Sequence, residues 1–194
     1  METEEIREKK EPKRLPVWAC ILLFALGLFV CMGLYGTIGF GLLSLILGDE
    51  ARHPGLLVYT VTEASMLLSV LTPAVILLYF ERRPFSDLGL TLKGHVRGLW
   101  YGLLVAMLLY LIGFGLSLAI GEVEVTGFQF DPLNLLGTFV FCLLVALTEE
   151  IMMRGYILGR LLHTRMNKFL ALFVSALLFA LLHIFNPNVA FLPM

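Results

Sequence analysis

Thirty-three consecutive residues, 15–47, carry no charged side chain. About 20 apolar residues suffice to cross the hydrocarbon layer of a bilayer as helix. The run is too long for a signal-peptide core and lacks a convincing small-residue cleavage site, so it reads as a retained first span. Four more apolar runs follow: one from near Val61 to near Phe80, one over residues 96–120, one from after Pro132 to about Leu162, and one over about 169–185. Backbone amides and carbonyls have no water to bond in hydrocarbon, so runs of this length cross it as helices. The fold class is therefore all-α, a polytopic integral membrane helical bundle of about five transmembrane helices.

The composition agrees: only 15% of residues are charged and 59% are hydrophobic, whereas a soluble domain carries about 25% charged residues. A net charge of −1 without a basic, aromatic-laced patch gives no sign of nucleic acid as a partner. Residues 1–14 form a dense mixed-charge segment, read as a cytoplasmic tail. Residues 15–194 read as a single transmembrane bundle, with no linker or repeat to divide it.

Loop charge predicts the orientation. The tail, the 81–97 loop (Arg82, Arg83, Lys93, Arg97) and the turn with Arg160, Arg165 and Lys168 hold twelve of the fourteen basic residues. The alternate loops hold only Arg52 among Asp49, Glu50, Glu122, Glu124 and Asp131. Five spans with a cytoplasmic amino terminus fit this distribution, in a multi-pass protein of a cell membrane, of the bacterial cytoplasmic kind.

Several smaller features carry structural expectations. Thr60 and Glu63 match a capping box at the start of the second span, against a site role for Glu63. Pro73 is expected to kink that span. Gly33, Gly36, Gly39 and Gly41 suit close helix packing or a bend. Cys20, Cys31 and Cys142 lack metal-ligand spacing and read as small core hydrophobes. The fifth span should stop at Asn186 and Pro187, since a residue before proline is pushed out of helical geometry.

The residues that carry chemistry are Glu149, Glu150 and Arg154 in the fourth span and His183 in the fifth. A charged residue at a helix centre costs about 2.5–3.5 kcal/mol on the insertion scale, so such residues mark function or a fully paired network. Glu150 and Arg154 stand four apart, the spacing and order of a helical ion pair. Glu149, about 100° round the axis, is left freer. If the chain reverses near Met166 and Asn167, Glu150 and His183 lie at equal distances from the turn and face each other across the hairpin. With axes about 8–10 Å apart, one carboxylate of the pair is expected within about 7 Å of the imidazole, a gap one water can bridge. Phe179, four residues before His183, can pack beside its ring. A carboxylate and an imidazole converging on a dry cavity can bind and deprotonate a water, the requirement of general-base hydrolysis. The same residues would also serve as a structural Glu–Arg–His network locking two helices, and physics alone leaves both readings open. Ser175, a turn or more from His183, reads as small-residue packing.

Glu149-Glu150-Ile151-Met152-Met153-Arg154-Gly155, with Phe179-Ala180-Leu181-Leu182-His183 in the next span, resembles the first two motifs of the CAAX-protease and bacteriocin-processing family, also called CPBP or Abi. The resemblance covers residues 133–186. It implies an intramembrane glutamate-dependent endopeptidase in which Glu149, Glu150 and His183 activate a water, with Arg154 fixing the glutamate pair and Phe179 supporting. Attack would fall on a peptide bond near the cytoplasmic leaflet, in a membrane-associated peptide or protein substrate. The family pattern also has a later span carrying a histidine with asparagine or aspartate four residues on. Here the sequence ends eleven residues after His183, so the resemblance implies a form truncated at its carboxy terminus and impaired in activity. The alternative is a non-enzymatic membrane immunity or scaffold protein; a proton-relay or transporter role stands third.

The family was first described as metalloproteases, so a divalent metal, zinc, comes into question, but no cofactor is firmly implied. Catalytic zinc wants about three protein ligands, whereas His183 and one glutamate supply two.

Overall fold

The computed structural model describes residues 15–53, 55–91 and 93–184. The charged tail and the expected stop at Asn186 and Pro187 lie outside the described residues. The described chain is helical with no strand, as its apolar runs require. Helix α1 spans Val17–Leu47, α2 Leu56–Phe80 and α3 Val96–Ala119. Helix α4 runs over Pro132–Leu162 and α5 over Lys168–His183. The first four are long and apolar enough to cross a membrane; α5 has 16 described residues. The molecule is a multi-pass helical membrane protein.

Local chemistry sets the helix starts. The Asp131 carboxylate accepts from the amides of Leu133 and Asn134, each at 3.1 Å, ahead of Pro132 at the first helical position. That pairing of a capping carboxylate with proline is a strong start signal. Asn167 caps α5 through the amide of Phe169 at 2.8 Å. The capping-box reading of Thr60 and Glu63 fails. Helix α2 begins at Leu56, after Gly55, and Thr60 donates back to the Leu56 carbonyl at 2.7 Å within the helix. Threonine hydroxyls satisfy themselves this way inside helices, so Glu63 lies two turns in.

Helices α1 and α2 pack closely through two glycines. A Cβ at Gly27 would lie 2.8 Å from the Cβ of Pro73, and one at Gly39 would run into the Ser65 hydroxyl. Pro73 is buried inside α2, which runs on through it. Gly33, Gly36 and Gly41 face open space instead, so of the four glycines expected to pack, only Gly39 does. The cysteine expectation also needs correction. Cys20 is buried, Cys31 is half-buried and Cys142 is exposed on α4, a position suited to lipid.

The core lies at the end of the bundle that carries the basic turns. Phe24 of α1, Val70, Ala74 and Leu78 of α2, and Ile151, Met153, Tyr156 and Leu161 of α4 bury one another with Ala171 of α5. Phe24 and Tyr156 stack with ring centroids 4.2 Å apart. Leu88, in the 3-10 turn Phe85–Leu88, inserts from the loop side. Helix α3 buries no residue, leaving its apolar surface open to a bilayer.

Candidate active site

Helix α4 is not uniform. Pro132–Glu150 is α-helical, Ile151–Leu158 winds as π-helix, and Gly159–Leu162 returns to α. The wide turn begins immediately after the glutamate pair and contains Arg154. Such segments are rare and concentrate at functional sites. Two contacts hold this one. Ser175 of α5, buried, donates its hydroxyl to the Met153 carbonyl at 3.2 Å. Gly155 meets the loop backbone so closely that a Cβ there would lie 2.7 Å from the Leu88 carbonyl oxygen. Ser175 is thus more than packing; it ties α5 to the wide turn.

The four residues singled out by sequence come together in two pairs. Glu150 forms an ion pair with Arg154. Glu149 Oε1 lies 3.5 Å from His183 Nε2. The expectation that Glu150 faces His183 is therefore corrected to Glu149, while the expected carboxylate–imidazole approach is met. Equal counting from the turn finds the depth, but rotation about the axis picks the acid. Glu149 reaches α5, and Glu150, about 100° further round, meets Arg154.

The imidazole is oriented from its other nitrogen. His183 Nδ1 lies 2.9 Å from the Phe179 carbonyl oxygen, which can only accept, so Nδ1 carries the proton. In the neutral ring, Nε2 then presents its lone pair toward Glu149. The Phe179 ring lies beside the imidazole with centroids 4.3 Å apart. A gap of 3.5 Å is long for a direct hydrogen bond and leaves a wedge in which one water can touch both groups. The side chains of Glu149 and His183 are 37% and 41% exposed, so a reactant can reach them. Glu149 and His183 are two donors, one short of a catalytic zinc set. Among the described residues no three His, Cys, Asp or Glu side chains converge. An apolar cavity of about 300 Å³ runs between α1, the wide turn and α5, lined in part by Phe24, Met152, Leu178 and Leu182.

A second polar cluster lies on the same helix, and sequence reading missed it. Arg160, counted there among the turn bases, is buried and ion-paired with Glu81 from the end of α2. Cys20 donates its thiol to the other Glu81 oxygen at 3.0 Å, and the guanidinium lies 5.0 Å above the Tyr156 ring. Asp87 joins Arg83 at 3.3 Å and His163 at 3.9 Å. The signal was available: Arg160 interrupts an apolar stretch of seven residues from Tyr156 to Leu162.

Such a chain is a polytopic helical membrane protein that brings a carboxylate and an imidazole together between two of its helices. Residues 131–194, a third of the chain, match the family model described as type II CAAX prenyl endopeptidase Rce1-like. The matched region contains both motifs, Glu149–Gly155 and Phe179–His183. No curated protein and no solved structure matches the chain.

Proposed function

We propose that the chain is an intramembrane endopeptidase of the CAAX-protease type, with Glu149 as general base and His183 as its partner at the water. The observation that carries this reading is the 3.5 Å approach of Glu149 to an imidazole whose tautomer is set by Phe179. A water in the wedge gives one hydrogen bond to the carboxylate and one to Nε2. Glu149 takes its proton as the oxygen attacks the peptide carbonyl carbon. The protonated Glu149 then returns that proton to the departing amine as the carbon–nitrogen bond breaks, leaving a carboxylic acid at the new chain end, which ionises by giving its remaining proton to solvent. Glu150 does not compete for the water, because Arg154 holds it; the pair positions rather than reacts. The apolar cavity suits the lipid-bearing part of a membrane-associated peptide.

The test is turnover of a quenched fluorescent, prenylated CAAX-type peptide by purified protein in proteoliposomes. Wild type should cleave it, and Glu149→Gln and His183→Ala should each lose most of the rate. Cleavage unchanged in both variants would sink the assignment.

A further inference from the structure

Glu63 has no part in the chemistry above. It sits on α2 seven residues past the helix start at Leu56, about 10 Å along the axis from the end opposite the basic turns. With the capping box gone, it is a carboxylate within a membrane-spanning helix, and such groups face partners or polar cavities by default. Among the described residues no base lies within ion-pair distance of it; every ion pair found there involves other acids. It lines an open groove of about 250 Å³ between α1 and α2 with Met32, Gly36, Thr62, Ser65 and Met66.

Three features of the groove describe its occupant. The uncompensated carboxylate calls for a cation. Gly36 contributes no side chain, and a Cβ there would meet nothing within 4 Å, so a helix backbone can come close, as small residues permit in membranes. Met32 and Met66 are flexible thioethers that adapt to varied surfaces. Depth excludes a lipid amine. Helix α2, of 25 residues, is about 37 Å long and, centred on a ~30 Å hydrocarbon layer, overhangs it by only a few Å at each end. Glu63 therefore lies below the headgroup layer. In a second copy of the chain Arg154 and Arg160 are already paired, and Arg52 lies in the turn before α2, outside the helix in which Glu63 sits two turns deep.

We propose that the α1–α2 groove receives a transmembrane helix of a partner protein, one that carries a single lysine or arginine at the depth of Glu63. The site is independent of the Glu149–His183 pair. The probe is a set of leucine-rich transmembrane peptides of about 20 residues, read by energy transfer to labelled protein in phosphatidylcholine nanodiscs. One peptide has a lysine a quarter of the way in from the Glu63 side, one has it at the matching place on the other side, and one has leucine throughout. The first should bind about tenfold tighter than the all-leucine peptide, the scale of a polar contact between membrane helices, and tighter than the second. Glu63→Leu should abolish this preference, the isosteric Glu63→Gln should weaken it, and Gly36→Ile should weaken binding of all three peptides. Equal affinity for the lysine and leucine peptides, or a preference that survives Glu63→Leu, would overturn the proposal. So would loss of the preference when phosphatidylethanolamine replaces part of the lipid, which would assign Glu63 to a headgroup amine.

Discussion

Helix α4 carries two acid–arginine–histidine groups, and their differences separate structure from chemistry. Around Arg160 the partners come from α1, α2 and the 81–97 loop, and the Arg160 and Glu81 side chains are only 5% and 9% exposed. There the acid is satisfied by a guanidinium and a thiol, and nothing of it is left for a substrate. Around Glu149 the partners come from α4 and α5 alone, the groups are open, and one acid is engaged by arginine while the other is not. The same residue types make a lock in one place and an accessible base in the other. Burial, not identity, draws the line.

Mutations should respect that line. The largest effect expected is on rate: Glu149→Gln should lower kcat about 10²–10⁴-fold, the usual worth of a general base, while the unfolding midpoint in detergent stays put. Glu81→Gln should do the reverse. Equal loss of rate in the two variants would break the comparison. Next, Arg160→Ala strands the Glu81 carboxylate and should destabilise the protein by about 3–5 kcal/mol, measured by denaturant unfolding in mixed micelles. The double change Glu81→Leu with Arg160→Met should restore most of that, because an apolar pair can replace a buried ion pair.

Gly155→Ala comes third. Its new methyl must displace the Leu88 backbone, at about 1–3 kcal/mol, and a destabilisation below a few tenths would show that the loop yields freely. The smallest effect belongs to Ser175→Ala, which removes one inter-helix hydrogen bond worth about 0.6 kcal/mol in a membrane. Hydrogen exchange at the amides of the wide turn should rise in that variant even where the midpoint hardly moves.

Much of the fold was legible because hydrocarbon leaves a chain few options. Helix α3 begins at Val96 as the hydropathy suggests, and α4 runs to Leu162. Helix α2 was mistaken at its start because threonine serves two purposes. The hydroxyl that would cap a helix also bonds the carbonyl four residues back, and Thr60 and Thr62 both do the latter. In the site, depth could be counted from the turn, and that brought the glutamate pair level with His183. Which acid faces the imidazole depends on rotation about the helix axis, and a wide turn in α4 has no recognised sequence signature. The Glu81–Arg160 pair was invisible for a different reason. Its partners stand 79 residues apart, and only the packing of α2 against the end of α4 brings them together.

The π-helical stretch also fixes an angle. One residue more or less in a helix turns everything beyond it by about 100°. Rewinding Ile151–Leu158 as regular α-helix would therefore swing Arg160 away from Glu81 if Glu149 kept its place beside His183. The two clusters are phased by the wide turn that separates them: wound as regular α-helix with every side chain kept, the two ends of α4 could no longer face their partners at once, and only the loss of one residue from the stretch would bring most of that phase back.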